Sequence, residues 1–144
     1  MKYSVLISLM LGVSIAAYAS TYADAIHKAK QDIQANAQKG NSDCGMSLQA
    51  TLDEASFKGQ DPDKLKWISG TGSCGTALKA VFNFCMYDTL KDKVKQINSF
   101  ECKLAADGKN KIEINGSSAV AHGAMDDDGS AYFQDEVKNI LGNQ

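Results

Sequence analysis

The chain has 144 residues, with 15 basic and 17 acidic side chains and a formal net charge of −2. That length suits one domain with a core of its own. All the basic residues counted there are lysines, and an arginine-free, slightly acidic chain speaks against nucleic acid, acidic lipid and phosphorylated ligands as partners.

Residues 1–19 read as a targeting segment. Lys2 is its only charge, residues 5–17 form an apolar run, and Ala17-Tyr18-Ala19 supplies the small-x-small site that a signal peptidase accepts. The run is shorter than the roughly twenty apolar residues a membrane-spanning helix needs. Cleavage after Ala19 is therefore expected. It leaves one mature domain, 20–144, that inserts in no membrane and is located in the periplasm or outside the cell.

Within that domain, Tyr22, Ala25, Ile26, Ala29, Ile33 and Ala37 recur at helical spacing and predict a helix over 20–39, ended by Gly40-Asn41. Asn41, Ser42 and Asp43 offer caps for a second helix over 43–57, with Leu48, Leu52 and Ala55 as its seam. Asp61-Pro62-Asp63 starts a short helical turn with proline at the first position. Leu65, Trp67 and Ile68 follow and are expected to dock on the core.

Gly70, Gly72 and Gly75 then fall on the GxGxxG spacing of dinucleotide-binding sites. Such a site needs a buried strand before the glycines and, about twenty residues on, an acid at the end of a second strand. Here "DKLKWIS" is too polar for a central strand, and Asp88 and Asp92 fall inside a predicted helix. The motif reads instead as a bend in which Ser73 caps the helix and Cys74 anchors the turn. No cofactor is expected.

The third helix is predicted over 73–95. Its first half is apolar on nearly every side, which marks a buried element, and from Asp88 it turns polar. A hairpin comes next. Phe100, Cys102 and Leu104 alternate with charged residues, Asp107-Gly108 marks a turn, and Ile112 and Ile114 alternate again. A three-residue loop, 107–109, pairs Leu104 with Ile112, Cys102 with Ile114 and Lys103 with Glu113, which keeps the apolar residues on one face. Residues 116–125 read as a small-residue loop in which Ala119-Val120-Ala121 could add a short strand. Residues 130–141 form a last amphipathic helix, with Ala131, Phe133, Val137, Ile140 and Leu141 inward. The order predicts an α+β fold: a mostly helical single domain carrying a small antiparallel hairpin and stapled by disulfides.

Four cysteines in a small exported chain imply two bridges. There is no CxxC or HxxxH pair to suggest zinc. On one helix Cys74 and Cys85 lie about 16 Å apart, too far for the roughly 7 Å limit between bridged Cα atoms. Two pairings survive. Cys44–Cys74 with Cys85–Cys102 is preferred, since the chain after residue 95 can fold back to the level of Cys85. The other is Cys44–Cys85 with Cys74–Cys102.

The remaining sites are weak. "MDDDGSAYFQDE" fits an EF-hand loop poorly, because Ala124 stands at the first ligand position and Asp135 at the twelfth. Asp126, Asp127 and Asp128 instead suit the positive end of a helix dipole. No Ser–His–Asp or Cys–His set emerges, so the catalytic residues are unknown and an enzyme is the less favoured class. His122 with Asp126 or Asp128 is the one pairing that a small hydrolase could use. The reading favoured by sequence is an exported, disulfide-stabilised module that binds another protein, as an inhibitor or immunity-type factor does, with His122, Asp126, Asp127 and Asp128 as its candidate surface. A structural or stress-protective envelope protein is the third reading.

Overall fold

Helix α1 ends later than its glycine suggests. The computed structural model describes the backbone of residues 4–143 and the side chains of 21–143. The leader reading, on 1–19, lies outside the residues whose side chains are described. α1 spans Ser4–Cys44, and Ile26, Ala29, Ile33, Ala37 and Cys44 form its buried stripe. Gly40 does not stop it. A Cβ there would strike the Phe82 ring, so this glycine lets α1 pass close to its neighbour. The real terminator is Gly45, at φ +63°, with Met46 N–H donating to the Asn41 carbonyl at 3.0 Å. This is the 6→1 bond of a Schellman end.

The helix expected over 43–57 is therefore absent. Asn41 caps nothing. Its side-chain amide instead bonds both main-chain groups of Leu48, at 2.8 and 2.9 Å, as a neighbouring strand would. Strand β1, Gln49–Leu52, follows at once, with Ala50 and Leu52 inward. A 3₁₀ turn, Glu54–Phe57, and the one-turn α2, Pro62–Leu65, lead to α3, Ser73–Asn83.

α3 is the centre of the molecule, packed against α1, the last helix (α5, Ser130–Gly142) and two strands (β2, Ser99–Leu104, and β4, Ser118–Gly123). It stops twelve residues before the expected end at 95. A 3₁₀ turn, Phe84–Met86, and the short α4, Lys91–Val94, replace its second half. Asp88 and Thr89, poor helix formers, lie in the break.

The remaining elements are β2, Ser99–Leu104; β3, Lys111–Asn115; β4, Ser118–Gly123; and α5, Ser130–Gly142. The chain is thus an α+β domain stapled by two disulfides. The sheet corrects the hairpin. Its order is β1-β2-β4-β3, with β1, β2 and β4 parallel and β3 antiparallel to β4. β2 and β3 do not touch. The stretch read as a loop lies between them, so Cys102 and Ile112 both pair with Ala121, and Phe100 and Ile114 both pair with Ala119. The hairpin is instead β3–β4, closed by Gly116-Ser117 with Gly116 at φ +58°. β4 is central because its inward residues are small. Ala119, Ala121 and Gly123 let α3 lie directly on the strand, and at Gly123 a Cβ would collide with the Ser73 hydroxyl.

The disulfides also take the less favoured pairing. Cys44 bonds Cys85 and Cys74 bonds Cys102, with Cα separations of 5.7 and 5.8 Å. Helices α1 and α3 run in the same direction: Asp32 meets Ser69, Gly40 meets Phe82, and Cys44 meets Cys85. The expected Cys44–Cys74 bridge assumed that Cys44 opens a helix. It closes one, at the far end of α3 from Cys74.

Candidate functional site

The glycine bend before α3 is built from backbone alone. Gly70 takes φ +62°. A Cβ on Gly72 would sit on the Trp67 carbonyl, and one on Gly75 would sit on the carbonyl of Gly70. This close wrapping uses the amides that a phosphate would need. Ser73 N–H donates to the Trp67 carbonyl at 3.0 Å, Cys74 and Gly75 N–H donate to that of Ile68 at 2.9 and 3.1 Å, and Thr76 N–H donates to that of Gly72 at 2.8 Å. A helix N-terminus holds an anion through free amides, and here they are occupied. Ser73 is not the cap either. Gly72 is, and the Ser73 hydroxyl is fully buried without a hydrogen-bond partner.

The bend turns one large side chain outward. Leu65 and Ile68, three residues apart, point into the core. Trp67 falls off that face and is 55% exposed, contrary to the expectation that it docks inside. The Lys66 ammonium stands 5.7 Å from its ring centroid.

Two grooves meet at Thr71, and Trp67 lines the smaller of them. The smaller, of about 400 Å³, is lined by Trp67, Thr71, Gly72 and the three carboxylates Asp126, Asp127 and Asp128. The acidic loop is held in shape by its own side chains. Asp127 accepts from Gly129 N–H at 3.0 Å and from the Asn110 amide at 3.1 Å, and Asp128 accepts from Ser130 N–H at 2.9 Å. The Thr76 hydroxyl ties the main-chain carbonyl of Asp128 to α3. Asp126 is left exposed.

The larger groove, of about 660 Å³, lies between α1 and the segment from Pro62 to Thr71. Asp24, Lys28 and Asp32 line it from α1, and Asp63 and Lys66 line it from the other wall, over small residues such as Ala25 and Ala29. Asp32 bridges the walls, accepting from Lys28 at 2.8 Å and from the nearly buried Ser69 hydroxyl at 3.1 Å. The carboxylates of Asp24 and Asp63 make no ion pair or hydrogen bond among the described residues.

His122 is elsewhere. It stands half-buried on the uncovered face of the sheet, in register between Lys103 and Lys111. It lines a third groove, of about 430 Å³, with Asp107, Asn110 and Lys111. The structure therefore gathers Asp126, Asp127 and Asp128 beside Trp67 and does not bring His122 to them. Near His122, Lys111 pairs with Glu113. Hydrogen bonding and charge attraction hold the Glu113 carboxyl below its ordinary value and raise Lys111 above its own. All four thiols are consumed in disulfides, so none is a nucleophile. Among the described residues no three His, Cys, Asp or Glu side chains converge as metal ligands, and no helix is long and apolar enough to cross a membrane.

No protein-family model, curated protein or solved structure matches the chain. A functional reading therefore rests on the geometry.

Proposed function

We propose that the protein loses residues 1–19 on export and works in the periplasm or outside the cell as a protein-binding module of inhibitor or immunity type. Two disulfides suit an oxidising compartment. The observation that carries the binding reading is Trp67, 55% exposed on a closely packed, backbone-bonded bend. Tryptophan is enriched among the side chains that dominate protein interfaces, and a rigid support lowers the ordering cost of contact. A hydrolase reading has less behind it, since His122 and the carboxylates it would use line different grooves.

Capture from an envelope extract, with Trp67→Ala as the comparison, tests the proposal. Wild type should recover a stoichiometric partner that Trp67→Ala loses while its melting temperature stays unchanged. Recovery of no partner, or equal recovery by both proteins, overturns it.

A further inference from the structure

The two grooves beside Trp67 form one track over Thr71, and its charge is unlike that of the rest of the molecule. Six carboxylates and two lysines line it. Elsewhere eleven acids stand against thirteen lysines, so the track carries a formal −4 in a chain whose total is −2. The whole negative excess is gathered on one side, and the remainder is slightly basic. Asp24, Asp63 and Asp126 are the track's uncommitted charges, with no hydrogen bond or ion pair among the described residues. They are spread over both grooves, and Trp67 lines the smaller one.

We infer that this track binds an extended, lysine- or arginine-bearing segment of the partner protein. Carboxylates take the ammonium or guanidinium heads, and the small-residue floor of the larger groove and the exposed Trp67 ring take the aliphatic stems. An acidic or neutral segment would leave the three uncommitted carboxylates desolvated and unpaired, which selects against it. The inference rests on the protein-binding reading and names the chemistry of the partner.

Trp67 is the chain's only tryptophan, so its emission reports on the track directly. Titration of the 20–144 protein with a decalysine peptide at low salt should perturb that emission, and added salt should weaken the binding. The triple variant Asp24→Asn, Asp63→Asn, Asp126→Asn should bind about tenfold more weakly, from three exposed charge contacts. A control triple of equal charge change, Asp43→Asn, Asp92→Asn, Asp135→Asn, alters no track residue and should shift binding by less than about twofold. Equal weakening by both triples would mean attraction to net charge alone and overturns the inference, as does an unchanged emission. An envelope partner captured through Trp67 but held equally well by the track triple also overturns it and leaves the protein-binding reading standing. Decalysine bound as expected with no envelope partner recovered overturns that reading and leaves the track.

Discussion

The two ends of α3 are each held by a disulfide and are otherwise opposites. At the N-terminal end Cys74 and Cys102 are completely buried. The helix start is wrapped so tightly by the bend that two glycines have backbone where a Cβ would be. At the C-terminal end the helix unwinds into a 3₁₀ turn, Cys44 and Cys85 retain slight exposure, and Met86 and Tyr87 project into solvent. One end is fixed by close packing that also contains a covalent bond. The other is more open, with Phe82, Phe84 and Cys85 buried beside its bond and Met86 and Tyr87 outside. The candidate site sits on the first, so Trp67 projects from the more closely packed end.

Removing each disulfide is the strongest way to break this comparison. The bridged residues are 28 and 41 positions apart in sequence, and loop-closure entropy alone makes the bridges nearly equal, at about 3.5–4 kcal/mol each. Burial separates them. Cys74→Ala with Cys102→Ala also leaves a core cavity and should cost about 4–5 kcal/mol, against about 3–4 kcal/mol for Cys44→Ala with Cys85→Ala. Urea unfolding of both doubles checks the order, and equal losses would mean that the N-terminal end is no better packed. Glycine substitutions give the next effect. Gly72→Ala sets a Cβ against backbone and should cost about 3 kcal/mol, whereas Gly40→Ala meets a side chain, the buried Phe82 ring, and should cost less, about 1–2 kcal/mol. Melting temperatures suffice to rank them.

The same contrast separates what was legible in the sequence from what was not. Periodicity placed the buried stripe of α1, the buried first half of α3, the inward faces of β2 and β3 and most of α5, because each pattern is written within its own element. Most misses concerned how elements meet, whereas the early end of α3, the exposed Trp67 and the outward Ala131 are local. Gly40 and Asn41 look like a helix end, yet one serves contact with Phe82 and the other stands in for a strand beside Leu48. Residues 116–125 read as a loop with at most a short strand at 119–121 because so many of their side chains are small, and the smallness of Ala119, Ala121 and Gly123 is what lets α3 rest on β4. The disulfide preference failed for the same reason, since it required the end at which α1 meets α3. At the candidate site the acidic loop was visible as a charge run. The exposure of Trp67 could have been read from Leu65 and Ile68 sharing one helical face. The wall supplied by Asp24 and Asp32 could not, because it depends on α1 lying beside a segment that places Ser69 37 residues from Asp32.

Ser73 refines the picture of the tight end. Its hydroxyl is sealed against Gly123 with no partner. A buried, unpaired hydroxyl costs free energy. Ser73→Ala should therefore be neutral or stabilising by up to about 1 kcal/mol. A loss of more than that in denaturant unfolding would reveal a bond made by this hydroxyl, and the bend would then rest on more than backbone fit.

The smallest effect belongs on the open face of the sheet, away from both ends of α3. Glu113 gains Lys111 as a partner on folding and its carboxyl titrates below the ordinary 4.5. A lowered folded value means that the unfolded chain takes up the proton first. The stability it contributes is thus fully present above the ordinary value and is lost as pH falls through that value and then the lower folded one. Glu113→Gln should lower the melting temperature slightly at neutral pH, and its difference from wild type should vanish in acid and shrink in high salt, because the pair is exposed and screened. A deficit that persists in acid would mean that Glu113 matters through packing rather than charge, and the open face would then be as tightly built as the start of α3.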